Sequence, residues 1–308
     1  MTSVALGRCA WSIRRVSSFT PAQITARPPL FELGKIAVAA HRVEAGSDTG
    51  ADLSYLLGKA TSLGGLRPKC TILEEDGALA IGKFASLQDE RSIVRGEVLA
   101  LRLLAHAGSQ VARARVVTVD GAEVAIVRRF DRDGEGARIP YLSGGTPLQC
   151  RRDEDRAYSE LADAIRRIGA APAVDLRELW RRLVINFLIT NVDDHLWNVG
   201  LLYAGDGKWR LAPAFDVDPF PDEARELKTW LSEASGPITS LEQLLSEAPY
   251  FGLTHAEGGE LLGTVALKLA QWREIASARD VGLTDADIAQ FAPAFEHDDA
   301  RAARALAH

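Results

Sequence analysis

The order of apolar patterns along the chain predicts an α+β protein of two lobes, a small antiparallel β-rich lobe followed by a larger helical one. Three observations predict it. Short β-like runs joined by Asp-Gly turns occupy residues 70 to 130, and stretches of helical period dominate after residue 154. A glycine- and arginine-rich segment, 134 to 153, separates the two and reads as a mobile connection. A chain of 308 residues can bury two modest cores. With 47% apolar and 25% charged residues it has an ordinary globular composition. A net charge of −6 argues against a stand-alone nucleic-acid binder. The three cysteines, Cys9, Cys70 and Cys150, are widely spaced and odd in number, as expected of reduced thiols in a cytoplasm rather than a disulfide or zinc framework. No apolar run approaches the length of a membrane span.

Residues 1 to 31 contain no Asp or Glu but carry Arg8, Arg14, Arg15 and Arg27. They are expected to form a disordered extension, with an organelle-targeting peptide as the alternative. The β-rich lobe is expected over 32 to 133. It opens with a helical stripe of Leu33, Ile36, Ala37, Ala40 and Val43, the pattern extending to about residue 60. A glycine-rich turn, 61 to 69, then leads into runs at 70 to 74 and 79 to 84, joined by Asp76-Gly77. Ser92 is placed to cap a helix through His106, which Gly108 would end. Runs at 114 to 119 and 124 to 130 follow, with Asp120-Gly121 at their turn.

The second lobe is expected over 154 to 308. Helices are predicted from Asp155 to Ile168, from an Asp175 cap to about Thr190, and over 239 to 248, 254 to 278 and 284 to 305. A hairpin of Val199 to Tyr203 with Trp209 to Leu211 turns at Gly205-Asp206-Gly207.

The chemistry concentrates between Thr190 and Asp216. Asp193 sits in a loop just past an apolar helix, Asn198 follows five residues later, and Asp216 comes after the hairpin. That spacing suits one base and two magnesium ligands around a nucleotide's phosphates. Asp193 can take or orient a hydroxyl proton. Asn198 and Asp216 offer hard oxygens that suit magnesium, although turn capping is their ordinary use. His195 can bond the loop backbone or the base, Asp194 and Asp218 are ambiguous neighbours, and the bland reading of the Asp pair is a solvated turn. Lys83 interrupts an apolar strand, so it either snorkels to solvent or enters the cleft as a cation for phosphate. Glu97 on the next helix either pairs with it or faces solvent. Backbone N–H groups of the loop with Ser62, Gly64, Gly65 and Lys69 can cradle phosphates, although the loop lacks the Walker pattern.

Together these motifs resemble the HipA family of serine/threonine kinases, the toxins of HipBA-type toxin–antitoxin modules. The stretch Ser62 to Lys69 is similar to that family's phosphate loop, and Lys83 to its ATP lysine. Arg129-Phe130-Asp131-Arg132 is similar to the stretch that closes its front lobe. Asn191 to Asn198 resembles its catalytic loop, and Leu211 to Asp216 its metal-binding segment. The resemblance spans residues 35 to 280 and implies a two-lobed protein-kinase-like fold, with ATP and Mg²⁺ as cofactors. It implies Asp193 as the base and Asn198 and Asp216 as the metal ligands, with Lys83 on the α/β-phosphates and Ser62 autophosphorylated. It further implies a protein substrate such as an aminoacyl-tRNA synthetase. The implied partner is a helix-turn-helix antitoxin of HipB type, through which alone the chain would meet DNA. Nothing here resembles the extra N-terminal subdomain of full-length members, so the chain is read as a short form. His195 follows the base by two residues, whereas in ordinary protein kinases the histidine precedes it. A small-molecule phosphotransferase of the aminoglycoside type and a pseudokinase acting as co-repressor scaffold are the alternatives.

Overall fold

Period-two alternation in the first lobe decides which residues face the cleft. A computed structural model describes residues 33–47, 69–87, 89–151, 154–221 and 225–306. The expected extension (1–31), the helical pattern beyond 47 and the glycine-rich turn as far as Pro68 lie outside the described residues. Helix α1 (Leu33–Glu44) is followed by β1 (Lys69–Leu73), β2 (Leu79–Phe84), α2 (Ile93–His106), β3 (Ala114–Val119) and β4 (Ala122–Arg128). The four strands make one antiparallel sheet in the order β1-β2-β4-β3. Asp120 and Gly121 both have positive φ, 52° and 81°, the paired left-handed turn that suits a two-residue hairpin. Val124 and Ile126 pack against Leu33, Ile36, Ile72 and Phe84 under α1. Ala125 and Val127 join α2 in the main core. Lys83 stands opposite Ala125 in the register, on the α2 side. Ser92 holds the N-cap position of α2 without making a capping bond.

The second lobe contains α3 (Tyr158–Ile168), α4 (Pro172–Leu188), α5 (Leu241–Glu247), α6 (His255–Leu269), α7 (Trp272–Ser277), α8 (Asp285–Phe295) and α9 (Asp298–Ala305). Several boundaries differ from expectation. The connecting segment is structured in part. Within it β5 (Tyr141–Ser143) pairs with β6 (Gly200–Gly205), which pairs with β7 (Lys208–Leu211). α3 starts at Tyr158 rather than Asp155, because Glu160 reaches back to the Ala157 N–H at 2.9 Å. α4 starts at Pro172, whose fixed φ and missing N–H suit a first turn. Asp175 is therefore no cap. It is buried inside that turn and accepts from Arg210 Nε at 3.0 and 2.9 Å. The long patterns after 254 and 284 break into α6/α7 and α8/α9. At the second break His297 Nδ1 accepts the Ala300 N–H at 3.2 Å, while Nε2 lies 3.0 Å from the Leu188 carbonyl. The short pair β8 (Trp230–Ser232) and β9 (Gly236–Pro237) carries too few residues for periodicity to register.

Trp180, Leu183, Val184 and Phe187 of α4 are buried at the centre of this lobe. The same core continues through α2, so the two lobes share apolar packing. Among the described residues, no helix is long and apolar enough to cross a membrane.

Candidate active site

The cleft brings together residues that are far apart in sequence. Lys83 Nζ lies 2.6 Å from Glu97 Oε1 and 2.5 Å from Asp216 Oδ1. Of the two readings of Lys83, the structure realises the cleft-facing one, and Glu97 is its partner. Burial disfavours the charge on Lys83, but the carboxylates of Glu97, Asp216 and Asp218 outweigh it and hold the ammonium well above its ordinary range. Burial likewise opposes ionisation of Asp216, yet Lys83, with smaller help from Lys69 and His195, keeps its carboxyl below the usual range. Lys69 stands directly across the β1–β2 ladder from Lys83, so both project to one face.

The position of Glu97 depends on the residue before it. Gly96 faces Phe291 of α8, and a Cβ there would meet the ring at 2.8 Å. Arg95 bridges Glu123 at 2.6 Å and donates to the Val281 carbonyl. The second lobe thus clamps α2 and with it Glu97. Gly96→Val should push α2 off Phe291, costing about 1–3 kcal/mol and a larger fraction of activity than of helix content. Thermal unfolding and transfer rates measured together check this, and a second change, Phe291→Leu, should recover part of both.

The loop that carries Asp193 leaves α4 through Thr190, a β-branched residue at φ 54°. That left-handed conformation is a costly one, of the kind that persists where surrounding bonds over-determine it. Here the Thr190 hydroxyl donates to the Ala294 carbonyl at 3.2 Å, and its own carbonyl accepts the Phe220 N–H at 3.1 Å. Asp216 has φ 56°, which turns its side chain out of the strand direction toward Lys83. Asn198 joins the two segments, its Nδ2 donating to the Asp193 carbonyl at 3.0 Å and the Asp216 carbonyl at 3.5 Å. That commits the amide nitrogen to the loop and directs the carbonyl oxygen to other use.

The two aspartates of the loop part company. Asp193 is 55% exposed and its carboxylate accepts from Lys228 Nζ, with His195 Nε2 at 3.9 Å, beyond hydrogen-bond reach. Asp194 is 2% exposed. Its Oδ1 accepts the Thr229 N–H at 3.1 Å, its Oδ2 accepts from the Tyr158 hydroxyl at 3.2 Å, and its carbonyl accepts from both hydroxyls at 3.0 and 2.8 Å. Asp194 is therefore an anchor, and Asp193 faces the open side. Burial raises the Asp194 carboxyl from 3.8 to about 7. Between those values the folded protein holds a proton that the unfolded chain has released. Its contribution to stability therefore falls as pH rises through that window, by up to about 1.4 kcal/mol per pH unit. Asp194→Asn imitates the protonated form, so its melting temperature relative to the parent should rise between pH 5 and pH 7.

Lys228, Thr229 and Tyr158 escaped sequence reasoning because nothing local marks them; their role comes from docking onto the loop. Ser62, Gly64 and Gly65 lie outside the described residues. His195 is near Asp193, its carbonyl accepts the Asn198 N–H at 2.8 Å, and its ring meets Trp197 edge-on. Among the described residues no cluster of three His, Cys, Asp or Glu side chains forms a metal site. Magnesium does not require one, since it is held by one or two protein oxygens together with phosphates and water. The Asn198 carbonyl and Asp216 carboxylate fit that limited role. Phe130, Tyr141 and Phe215 form an aromatic group immediately before Asp216, with centroids 5.3 and 6.4 Å apart. A cavity of about 30 Å³, lined mostly by apolar surface, touches Arg182, Asn191, Asp194 and Asp216.

A lysine–glutamate pair under a four-stranded sheet, facing a helical lobe that supplies aspartate, asparagine and aspartate, puts the chain in the class of two-lobed kinase-like folds. Solved structures agree. The chain superposes on HipA in the HipA–HipB–operator DNA complex of Shewanella oneidensis MR-1 with a TM-score of 0.60, at 16% identity over 80% of this chain and 64% of that one. It superposes on the Helicobacter pylori proinflammatory kinase CtkA with a TM-score of 0.61, at 14% identity over 80% of this chain and 94% of that one. Residues 61–290 match the HipA-like C-terminal domain, and the chain belongs to that family. It is also 27% identical over 179 residues to "Putative kinase Y4mE" of Sinorhizobium fredii strain NBRC 101917 / NGR234. That match covers 52% of this chain and 42% of the relative, so the chain spans under half the length of the curated relative it matches.

Proposed function

We propose that this chain is an ATP- and Mg²⁺-dependent serine/threonine protein kinase of HipA type. The observation that carries the proposal is the continuous set Glu97–Lys83–Asp216–Asn198–Asp193, assembled from both lobes by direct contacts. In it Asp193 accepts the proton of the attacking hydroxyl. Asn198 and Asp216 hold magnesium, which when bound neutralises charge on the β- and γ-phosphates. Lys83 orients the α/β-phosphates, and the aromatic group beside Asp216 offers faces on which a nucleobase can stack. Gly64 and Gly65 are assigned to the phosphate loop, Lys69 at the start of β1 adds a cation on the face of Lys83, and Ser62 is assigned as the autophosphorylation site. A phosphate there adds up to about −2 charge beside the nucleotide and silences the enzyme.

The wider setting follows the resemblance and the Shewanella complex, which contains an antitoxin and operator DNA. We assign the chain to a toxin–antitoxin module with a HipB-type partner and a cytoplasmic protein substrate such as an aminoacyl-tRNA synthetase. Labelled ATP offered with a bacterial lysate or with a panel of hydroxyl-rich metabolites tests this. Label on a protein, and on the peptide containing Ser62, is the expected result. Label only on a metabolite turns the reading to a small-molecule phosphotransferase, and no magnesium-dependent turnover turns it to a scaffold.

A further inference from the structure

Lys228 is placed with more care than an ordinary surface lysine. Its ammonium donates to Asp193 Oδ1. Its neighbour Thr229 is fixed on the loop by two bonds to Asp194, and Trp230 donates its N–H to the Arg156 carbonyl at 3.0 Å. The pair is too open for the contact to matter to stability, since Lys228 is 60% exposed and Asp193 55%; such surface pairs contribute between nothing and about 1 kcal/mol. Its purpose lies in the site. Lys83, at the inner end, is held by Glu97 and Asp216. At the outer end an anionic base would face an anionic phosphoryl group, and a transferring phosphoryl needs cations where its charge develops.

We propose that Lys228 is a catalytic residue that binds the γ-phosphoryl group, exchanging its contact with Asp193 for one with a γ-oxygen when ATP enters. The inference rests on the kinase reading given above. In the step, the hydroxyl oxygen of the acceptor forms a bond to the γ-phosphorus as the bond to the β–γ bridging oxygen breaks. ADP leaves with that electron pair, and the hydroxyl proton passes to Asp193. Lys228 keeps its proton throughout and serves as a fixed positive charge. Its withdrawal from Asp193 also frees the base at the moment a γ-phosphate is present, so ADP would leave the resting pair closed.

The test compares Lys228→Met and Lys228→Arg in the full chain. Binding of Mg-ATP and Mg-ADP is measured by calorimetry, and turnover with labelled ATP. Lys228→Met should lose about tenfold or more of the preference for ATP over ADP, a charge-assisted bond's worth. Its turnover number should fall about 100-fold, as on removal of one preorganised donor. Lys228→Arg should recover much of both, and ADP binding should stay within about twofold in both variants. An unchanged ATP/ADP ratio with normal turnover overturns the proposal, as does an equal loss of both nucleotides. If the parent chain itself binds neither nucleotide, the kinase reading falls and takes this one with it. A working parent with an indifferent Lys228 removes only the latter.

Discussion

Asp193→Asn should lower phosphoryl transfer by about 10²–10⁴-fold while Mg-ATP affinity stays within about twofold. The asymmetry follows from the geometry. The Asp193 side chain faces solvent and Lys228, while Asp194 anchors the loop through Tyr158 and Thr229. An amide at 193 can still accept from Lys228, but it cannot take a proton at neutral pH. Single-turnover transfer together with calorimetric titration of nucleotide separates the two quantities. Transfer at parental rates in this variant would remove Asp193 from the role of base.

Lys83→Met should have the second largest effect, because it fails in two ways at once. It removes the cation for the phosphates, and it leaves Glu97 and Asp216 facing each other across the space vacated by a group 2.6 and 2.5 Å from them. Breaking one partner out of a buried ion pair costs about 3–5 kcal/mol. The lower figure applies here, because the Asp216 side chain is 38% exposed and solvent relieves part of the repulsion. Nucleotide affinity and transfer should both fall by well over about tenfold. Adding Glu97→Gln should restore much of the stability, read by urea unfolding, with transfer staying low. Recovery of transfer in the double variant would mean that Lys83 acts only through folding.

Much of the candidate site was legible in the sequence. The interval from Asp193 to Asn198 and the return at Asp216 are local spacings set by one loop and one hairpin, and the structure joins their ends through the Asn198 amide. The strand lysine stood out as the one charge in an apolar run, with solvent and cleft both open to it, and its contact with Glu97 decides for the cleft. The Asp-Gly turn at 120–121 likewise appears with both residues left-handed. Helix starts were less legible. Asp175 has the chemistry of a cap, but Pro172 sets the start, and Arg210 claims the carboxylate from another element.

The sequence by itself determined the main helices and strands of both lobes, the family, and the residue types that a phosphotransferase site needs, because periodicity, turn chemistry and short spacings are local properties. Between neighbours of identical chemistry the residues alone left the choice open; the family resemblance favoured Asp193, and the tertiary structure supplies the physical difference. Asp193 and Asp194 are the same residue in the same loop, and burial under Tyr158 and Thr229 makes one an anchor and leaves the other open to a substrate. Lys83 and Glu97, fourteen residues apart, gain a shared role only because the sheet turns one toward the helix that holds the other. Lys228, thirty-five residues beyond the aspartate it touches, is a surface lysine in sequence and a neighbour of the candidate site in space. Burial and long-range contact are sums over the whole fold, and no window of sequence contains them.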